Sequence, residues 1–243
     1  LTYSMAVSQY GLISGMVMPV LLFANVFITS FSGLLVPEFS RLLAGENYNR
    51  LKTVSNTIFQ ITFAFSICVG SIFFFYSDEI SLAIYQNLES AKWIKILAPL
   101  VLLMYVDNIV DGILKGINEQ VGVMCCNIID LLVTICIIFF LVPKMGITGY
   151  IFSIFVSEIL NFVISCFQLR HRIKYHIRLF KSILIPMCAS FLAFLVTDIF
   201  TLSFSSVLYI LIFKICVFSA VYVGILFLVN YKVKSRFFSF FRD

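Results

Sequence analysis

Long apolar runs separated by short polar segments make up most of the chain. A helix needs roughly 20 mostly apolar residues to cross about 30 Å of hydrocarbon. Because lipid cannot satisfy exposed backbone groups, each such run is expected to be helical. The pattern predicts seven spans, at 11–34, 53–76, 93–116, 121–142, 147–168, 182–202 and 207–231. Short connections at 117–120, 143–146 and 203–206 predict that the helices they join are antiparallel neighbours.

The composition agrees with an all-α polytopic membrane protein. Of the 243 residues, 61% are hydrophobic and 12% are charged, whereas a soluble domain carries about 25% charged residues. The seven cysteines lie within apolar runs and form no Cys-x-x-Cys pair, which predicts reduced, buried thiols instead of disulfides or a zinc site. The chain starts at Leu1 without a signal-peptide pattern, and we expect that an upstream part is missing from it.

Basic side chains are distributed unevenly among the connections. Most of them lie in the first, third and fifth connections and in the C-terminal tail, whereas the alternate connections hold Lys92, Lys95 and Lys144. Cytoplasmic connections of membrane proteins carry an excess of lysine and arginine. The pattern therefore predicts a multi-pass protein of the cytoplasmic (inner) membrane with a cytoplasmic C-terminus.

The most basic stretch, RHRIKYHIRLFK, occupies residues 170–181 between two predicted spans. A basic run beside the membrane is typical of a segment that contacts the anionic lipids of the inner leaflet. It therefore predicts contact with membrane lipids and no nucleic-acid partner.

Two aspartates interrupt the third span. Asp107 lies near its middle, Asp111 lies one turn closer to the cytoplasm, and Lys115 follows on the same helical stripe. An ionised carboxylate at the centre of a span costs roughly 2.5–3.5 kcal/mol on insertion scales. We therefore expect this stripe to face the helix bundle or a water-filled cavity instead of lipid.

Further polar residues are predicted at the same depth on the next two spans. When residues are counted equally from the two tight turns, Asp107 lies level with Asp130 and Asn161. Three others, Asp111, Asn127 and Glu158, fall within about one helical turn of that level. The sequence thus predicts a polar layer contributed by three consecutive helices.

This polar layer has three interpretations. In the first, its carboxylates bind a Na⁺ ion or a proton that couples transport, because hard oxygen ligands suit Na⁺ and neighbouring acids can carry protons. In the second, the layer holds helices together, with Asp111 paired to Lys115 and Asn127 bonded across helices. In the third, it binds the substrate.

An enzyme is not expected. The chain has no connection longer than about 20 residues, and it contains no His-x4-Asp or Asp-x-Asp motif, so a catalytic domain has no room to fold. The sequence predicts no cofactor apart from the coupling ion.

Several stretches resemble a family of membrane transporters. The segment SQYGLISGMVMPVLLFANVFITSFSGLLVPEFSRLLAGEN contains a Gly-Met-x-x-Pro motif at Gly15, Met16 and Pro19, followed by LVPEFS at 35–40. The stretch DGILKGINEQ follows further on. These segments resemble oligosaccharide flippases and polysaccharide-biosynthesis proteins, in the stage V sporulation protein B-like branch of the multidrug/oligosaccharidyl-lipid/polysaccharide (MOP) superfamily.

The resemblance implies a two-lobed MATE/MOP-type transporter, with this chain as its C-terminal half. Residues 1–170 would form most of the second lobe, and residues 171–243 would form a basic cytoplasmic connection, an extra helix pair and a basic tail. The implied activity moves lipid-linked oligosaccharide across the membrane for cell-surface polysaccharide synthesis, together with the N-terminal lobe. A multidrug/cation antiporter of the same superfamily is the alternative.

The resemblance also implies a cation site in the second lobe. Two polar residues four apart match Asp107 and Asp111, the next helix matches with a backbone carbonyl at Val123 and a side chain at Asn127, and a further acid would come from upstream. Asp130, Glu158 and Asn161 would support this site. Because the first pair is Asp-Asp here, the resemblance leaves Na⁺ and H⁺ both open.

Overall fold

The computed structural model describes residues 3–173, 179–199 and 207–229. The elements in these ranges are all helices, which confirms the all-α polytopic fold. They are α1 (Tyr3–Leu12), a π-helical turn (Ile13–Val17), α2 (Met18–Phe23), α3 (Asn25–Ala44), α4 (Tyr48–Phe75), α5 (Ser77–Tyr85), α6 (Glu89–Leu97), α7 (Leu100–Gly116), α8 (Gln120–Met145), α9 (Ile147–Ile173), α10 (Leu179–Ile199) and α11 (Val207–Val229). Part of the predicted basic connection, with Lys174 and Arg178, the 203–206 connection and the basic tail lie outside the described residues.

Within the described ranges, six helices are long and apolar enough to cross a membrane, or seven if the bent α6–α7 pair counts as one span. The six are α3, α4, α8, α9, α10 and α11. This number agrees with the seven predicted spans, and the chain is a multi-pass membrane protein.

The first predicted span differs from the helix that forms. The sequence predicts one span over 11–34, but the structure is helical from Tyr3 to Ala44 with a π-helical turn before Pro19 and a break at Ala24. A proline ring clashes with the carbonyl four residues earlier, here that of Gly15, and a widened π turn relieves such a clash. The helix long enough to span begins after the break, at Asn25.

The third predicted span is also broken. Helices α6 and α7 meet at a 49° bend, and Pro99 lies in the connection between them. Proline cannot donate a backbone hydrogen bond, and it crowds the preceding turn. Gly70 of α4 leaves room for the bend, since a Cβ at this position would lie 3.3 Å from the Ala98 carbonyl oxygen.

The described helices fall into two compact units. One comprises residues 1–53 and 103–176, and the other comprises residues 54–102 and 177–243. The predicted polar layer lies entirely in the first unit, whereas α10 and α11 belong to the second. These units interleave along the chain, whereas the predicted division at residue 170 follows chain order and stays a prediction.

In the first unit, hydrogen bonds to backbone carbonyls join α7 to α2 and α3, the helices on either side of the break at Ala24. The fully buried Tyr105 hydroxyl donates to the Leu21 carbonyl at 3.0 Å, just before the break at Ala24. Ser32 Oγ donates to the Asn108 carbonyl at 2.7 Å. The tyrosine thus satisfies a carbonyl beside the helix break, as membrane-buried backbone groups require.

Two glycines bring α3 and α7 into close contact. A Cβ at Gly116 would lie 2.6 Å from Phe39 Cβ, and a Cβ at Gly112 would lie 2.9 Å from the Ser32 carbonyl oxygen. Ser40 Oγ also donates to the Gly116 carbonyl at 2.8 Å. Small residues four apart allow membrane helices to approach closely, and this Gly-x-x-x-Gly pair therefore defines an α3–α7 seam.

In the second unit, α11 binds α4 and α5 through polar side chains on one face. Lys214 Nζ forms an ion pair with Glu79 Oε1 at 2.7 Å and lies 5.6 Å from the centre of the Tyr76 ring. Two turns further along α11, the Tyr222 hydroxyl donates to the Ala64 carbonyl at 2.7 Å. These contacts hold α4 and α5 against α11.

We expect that Glu79→Gln lowers the free energy of unfolding by about 1 kcal/mol, because the half-buried Lys214 ammonium loses its ionic partner. Asp78→Asn is the matched control, since Asp78 lies in the same first helical turn but is exposed. Thermal unfolding of Glu79→Gln, Lys214→Met and the double variant in detergent gives the coupling energy. Additive effects of the two single changes would contradict a stabilising ion pair.

Candidate functional site

The centre of the polar layer is a hydrogen-bonded pair between α7 and α9. Asn161 Nδ2 donates to Asp107 Oδ2 at 2.8 Å, and Asp107 is only 9% exposed. This contact places both side chains at one depth, as counting residues from the turns predicts. Ser165, one turn along α9 from Asn161, is 1% exposed and lies beside the same carboxylate.

The second oxygen of each partner accepts no hydrogen bond from the part of the chain that the structure describes. Asp107 Oδ1 and Asn161 Oδ1 are both buried, and neither accepts a hydrogen bond from the described residues. Buried polar atoms in folded proteins are nearly always paired, and a buried ionised carboxylate is especially costly when it is not. Two such oxygens on neighbouring side chains are chemically suited to hold a positive charge.

Asp130 has a different environment, although it lies at the same depth. The Ser157 hydroxyl lies 2.8 Å from Asp130 Oδ1 and 2.9 Å from Asp130 Oδ2. This serine from α9 therefore engages both oxygens of the α8 carboxylate. Glu158, next to Ser157, is half-buried and lies within electrostatic range of Asp107 and Asp130.

Asp111 is paired within its own helix. Lys115 Nζ lies 3.7 Å from Asp111 Oδ2, with Asp111 16% exposed and Lys115 45% exposed. This is the ion pair expected if Asp111 has a structural role. Because a positive charge already compensates Asp111, the arrangement distinguishes it from Asp107.

The remaining residues that the resemblance implies do not all turn toward Asp107. Val123 is buried on α8, whereas Asn127 is exposed, next to the buried Cys126. Among the described residues, no group of three histidine, cysteine, aspartate or glutamate side chains is arranged to hold a metal ion. The oxygens that fit a small cation are those of Asp107 and Asn161. They are few for Na⁺, because hard metal ions bind several oxygen ligands, but sufficient for a proton.

Sequence reasoning missed a polar stripe along α9. Polar residues recur along it at intervals of three or four, and each lies near or contacts a polar partner on α7, on α8 or just before α8: Ser157, Asn161, Ser165, Gln168 and Arg172. This spacing places them on one face of the helix. The periodicity was present in the sequence as a signal, but serines barely change the hydropathy of a span.

Over 163 residues the chain is 29% identical to stage V sporulation protein B of Bacillus subtilis (strain 168). It is similar to that protein. The match covers 64% of this chain and 30% of the sporulation protein, so the chain spans less than a third of its relative's length. No family model matches the sequence, and no solved structure matches it either.

This similarity confirms the predicted resemblance to the stage V sporulation protein B-like branch. It also agrees with the prediction that the chain is not an enzyme. The set Asp107, Asp111, Val123 and Asn127 stays a prediction as a coupling site, with the side chains distributed as described above.

Proposed function

We propose that the protein is a cation-coupled flippase that moves lipid-linked oligosaccharide across the cytoplasmic membrane for cell-surface polysaccharide synthesis. The observation that carries the coupling proposal is the buried Asp107–Asn161 pair, in which two neighbouring oxygens accept no hydrogen bond from the described residues. In a membrane protein, an ionisable group of this kind is a candidate functional group by default.

The coupling step uses the charge of Asp107. A proton or small cation bound between Asp107 and Asn161 neutralises a carboxylate that is costly to bury, and its release restores the charge. The loaded and unloaded states therefore favour different surroundings for α7. Because a ligand shifts an equilibrium by its differential affinity for two states, this difference couples the cation gradient to alternating access.

The substrate class is supported by the sequence resemblance to oligosaccharide flippases, and the similarity to stage V sporulation protein B supports the flippase-like role at the level of the family. A phosphate-bearing oligosaccharide head group is too polar to cross hydrocarbon unaided, and a transporter of this architecture supplies a hydrated path at the interface of its lobes. The proposed orientation places the C-terminus and the basic connection at the inner leaflet.

Transport assays in proteoliposomes test the function directly. We expect a lipid carrying a fluorescent oligosaccharide to move between leaflets faster when a pH gradient is imposed than when it is dissipated. Parallel vesicles with a Na⁺ gradient at constant pH distinguish the two ions. Gradient-driven accumulation of a cationic dye, without lipid movement, would reject the flippase and support the drug/cation antiporter instead.

A further inference from the structure

The polar stripe of α9 continues beyond the coupling pair to the end of the helix. Gln168 lies seven residues after Asn161, and Arg172 lies four residues after Gln168. At 1.5 Å per residue, the stripe reaches about 10 Å from Asn161 to Gln168 and about 16 Å to Arg172. It therefore connects the buried Asp107 with the helix end that is predicted to be cytoplasmic.

Helix α8 supplies one polar partner and a gap between side chains along this path. The Cys126 thiol donates to Gln168 Oε1 at 3.3 Å, and Cys126 is 8% exposed. Gly122 lies opposite, where a Cβ would come 2.9 Å from Gln168 Cδ. The absence of a side chain at Gly122 thus leaves space between α8 and α9 that the Gln168 amide occupies.

An ion pair lies where the stripe reaches the surface. Arg172 Nε is 3.0 Å from Glu119 Oε1, with the arginine side chain 55% exposed and the glutamate 20% exposed. Glu119 precedes α8, and Arg172 lies in the last turn of α9. The pair therefore bridges the open end of the α8–α9 hairpin, opposite its turn, and we call this open end the mouth of the path. The ion pair between Lys115 and Asp111 lies toward the same end of the helices.

The buried end of the stripe at Asn161 and its surface end at Arg172 differ in a way that simple helix packing does not require. At the buried end, Asp107 Oδ1 and Asn161 Oδ1 accept no hydrogen bond from the described residues. At the surface end, the charged side chains of Arg172 and Glu119 reach the surface. Interhelical hydrogen bonds stabilise membrane proteins by only about 0.6 kcal/mol on average, which is little reason to extend polar groups from the surface to a buried acid.

We propose that the polar face of α9, from Arg172 through Gln168 and Ser165 to Asn161, is the path by which the coupling cation exchanges between Asp107 and the cytoplasmic surface. The Glu119–Arg172 ion pair closes its mouth. This inference rests on the proposed coupling role of Asp107 and adds the route that serves it. Short-lived hydration between the polar side chains carries the cation when the ion pair opens.

Cys126 and Cys125 provide a matched pair of reporters for this route. Both lie at nearly the same depth on α8, but Cys126 is buried against Gln168, whereas Cys125 is exposed on another face of the helix, away from Gln168. Two variants of the full chain each retain one of these cysteines, with the other six replaced by serine or alanine. The probe is a small, permanently charged methanethiosulfonate, which reacts with thiols that water reaches.

We expect the probe to label Cys126 slowly from the side at which α9 ends, and to leave Cys125 unlabelled in membranes. Arg172→Gln should raise the labelling rate of Cys126 at least tenfold, and Glu119→Gln should do the same if the arginine variant does not fold. Exchanging the charges, with Glu119→Arg and Arg172→Glu together, should restore the slow rate. Gln168→Leu, similar in size but apolar, should suppress labelling.

Equal labelling of Cys125 and Cys126, or a Cys126 that stays inert in folded Arg172→Gln and Glu119→Gln proteins, would overturn the route. Labelling from the opposite side of the membrane would also overturn it. These outcomes differ from a failure of the proposed function, because thiol labelling needs no substrate. A protein with gradient-driven lipid transport and an inert Cys126 would keep the function and lose the path.

Discussion

Asp107→Asn is expected to reduce cation-driven transport by about two orders of magnitude while the protein still inserts and folds. An ion that no longer distinguishes between two states cannot shift the equilibrium between them, so the imposed gradient loses its effect. Stability should be maintained or slightly increased, because asparagine has a similar shape and removes a carboxylate that is costly to bury. Transport in proteoliposomes and thermal unfolding in detergent measure the two effects separately.

Two neighbouring acids are the controls for this prediction. Asp130→Asn changes a carboxylate that Ser157 already engages, and Asp111→Asn changes one that Lys115 compensates. We expect either change to slow transport by no more than a few-fold, because a neighbouring hydroxyl or ammonium group already satisfies each carboxylate. Gradient-driven transport that survives in Asp107→Asn would reject its role. An equally large loss in Asp111→Asn would support a site shared by both aspartates, as the family resemblance implies.

Gly116→Ala and Gly112→Ala are each expected to lower the free energy of unfolding by about 1–3 kcal/mol, the cost of overpacking a filled interface. At Gly116 the new methyl group would lie 2.6 Å from Phe39 Cβ, which is fixed to the backbone and cannot rotate away. At Gly112 it would lie 2.9 Å from the Ser32 carbonyl oxygen. Circular dichroism during heating, and the fraction of monodisperse protein that remains, would report the loss.

Gly33→Ala, on α3 of the same helix pair, is the control for these two variants, and we expect it not to destabilise the protein. A Cβ at Gly33 meets no atom within 4 Å, and alanine is favoured over glycine in a helix by up to about 1 kcal/mol. This variant should be as stable as the parent or slightly more stable. If Gly33→Ala and Gly116→Ala were destabilised equally, the close α3–α7 contact would not be the cause.

Counting residues along the chain predicted the spans and the depth of the polar layer because both depend on distance along helices. Asp107 and Asn161, 54 residues apart, meet where the two tight turns place them. The breaks at Ala24 and before α7 were missed because hydropathy sums side chains and ignores backbone hydrogen bonds. Pro19 and Pro99 were visible in the sequence, but their effect depends on which carbonyl the ring crowds.

The face of the helix on which each side chain lies was harder to predict from the sequence than its depth. Successive residues turn by about 100° around a helix with 3.6 residues per turn. Asn127 and Cys126 therefore have nearly the same depth but opposite environments, one exposed and one buried. A depth argument cannot separate them, and the choice depends on how α8 packs against α9. The α9 stripe could have been found from its period, since five polar residues share one face.

The α3–α7 seam has a mechanical consequence. On one side α7 holds the acid that meets Asn161, and on the other it is fastened to α3 by the hydrogen bonds from Ser32 and Ser40 and by the glycine contacts. Helices locked at such short range cannot slide past one another without clashes. Because Tyr105 also holds the Leu21 carbonyl before the break at Ala24, α7 is fastened to both parts of the interrupted segment, and a tilt of α7 would have to carry α2 and α3 with it.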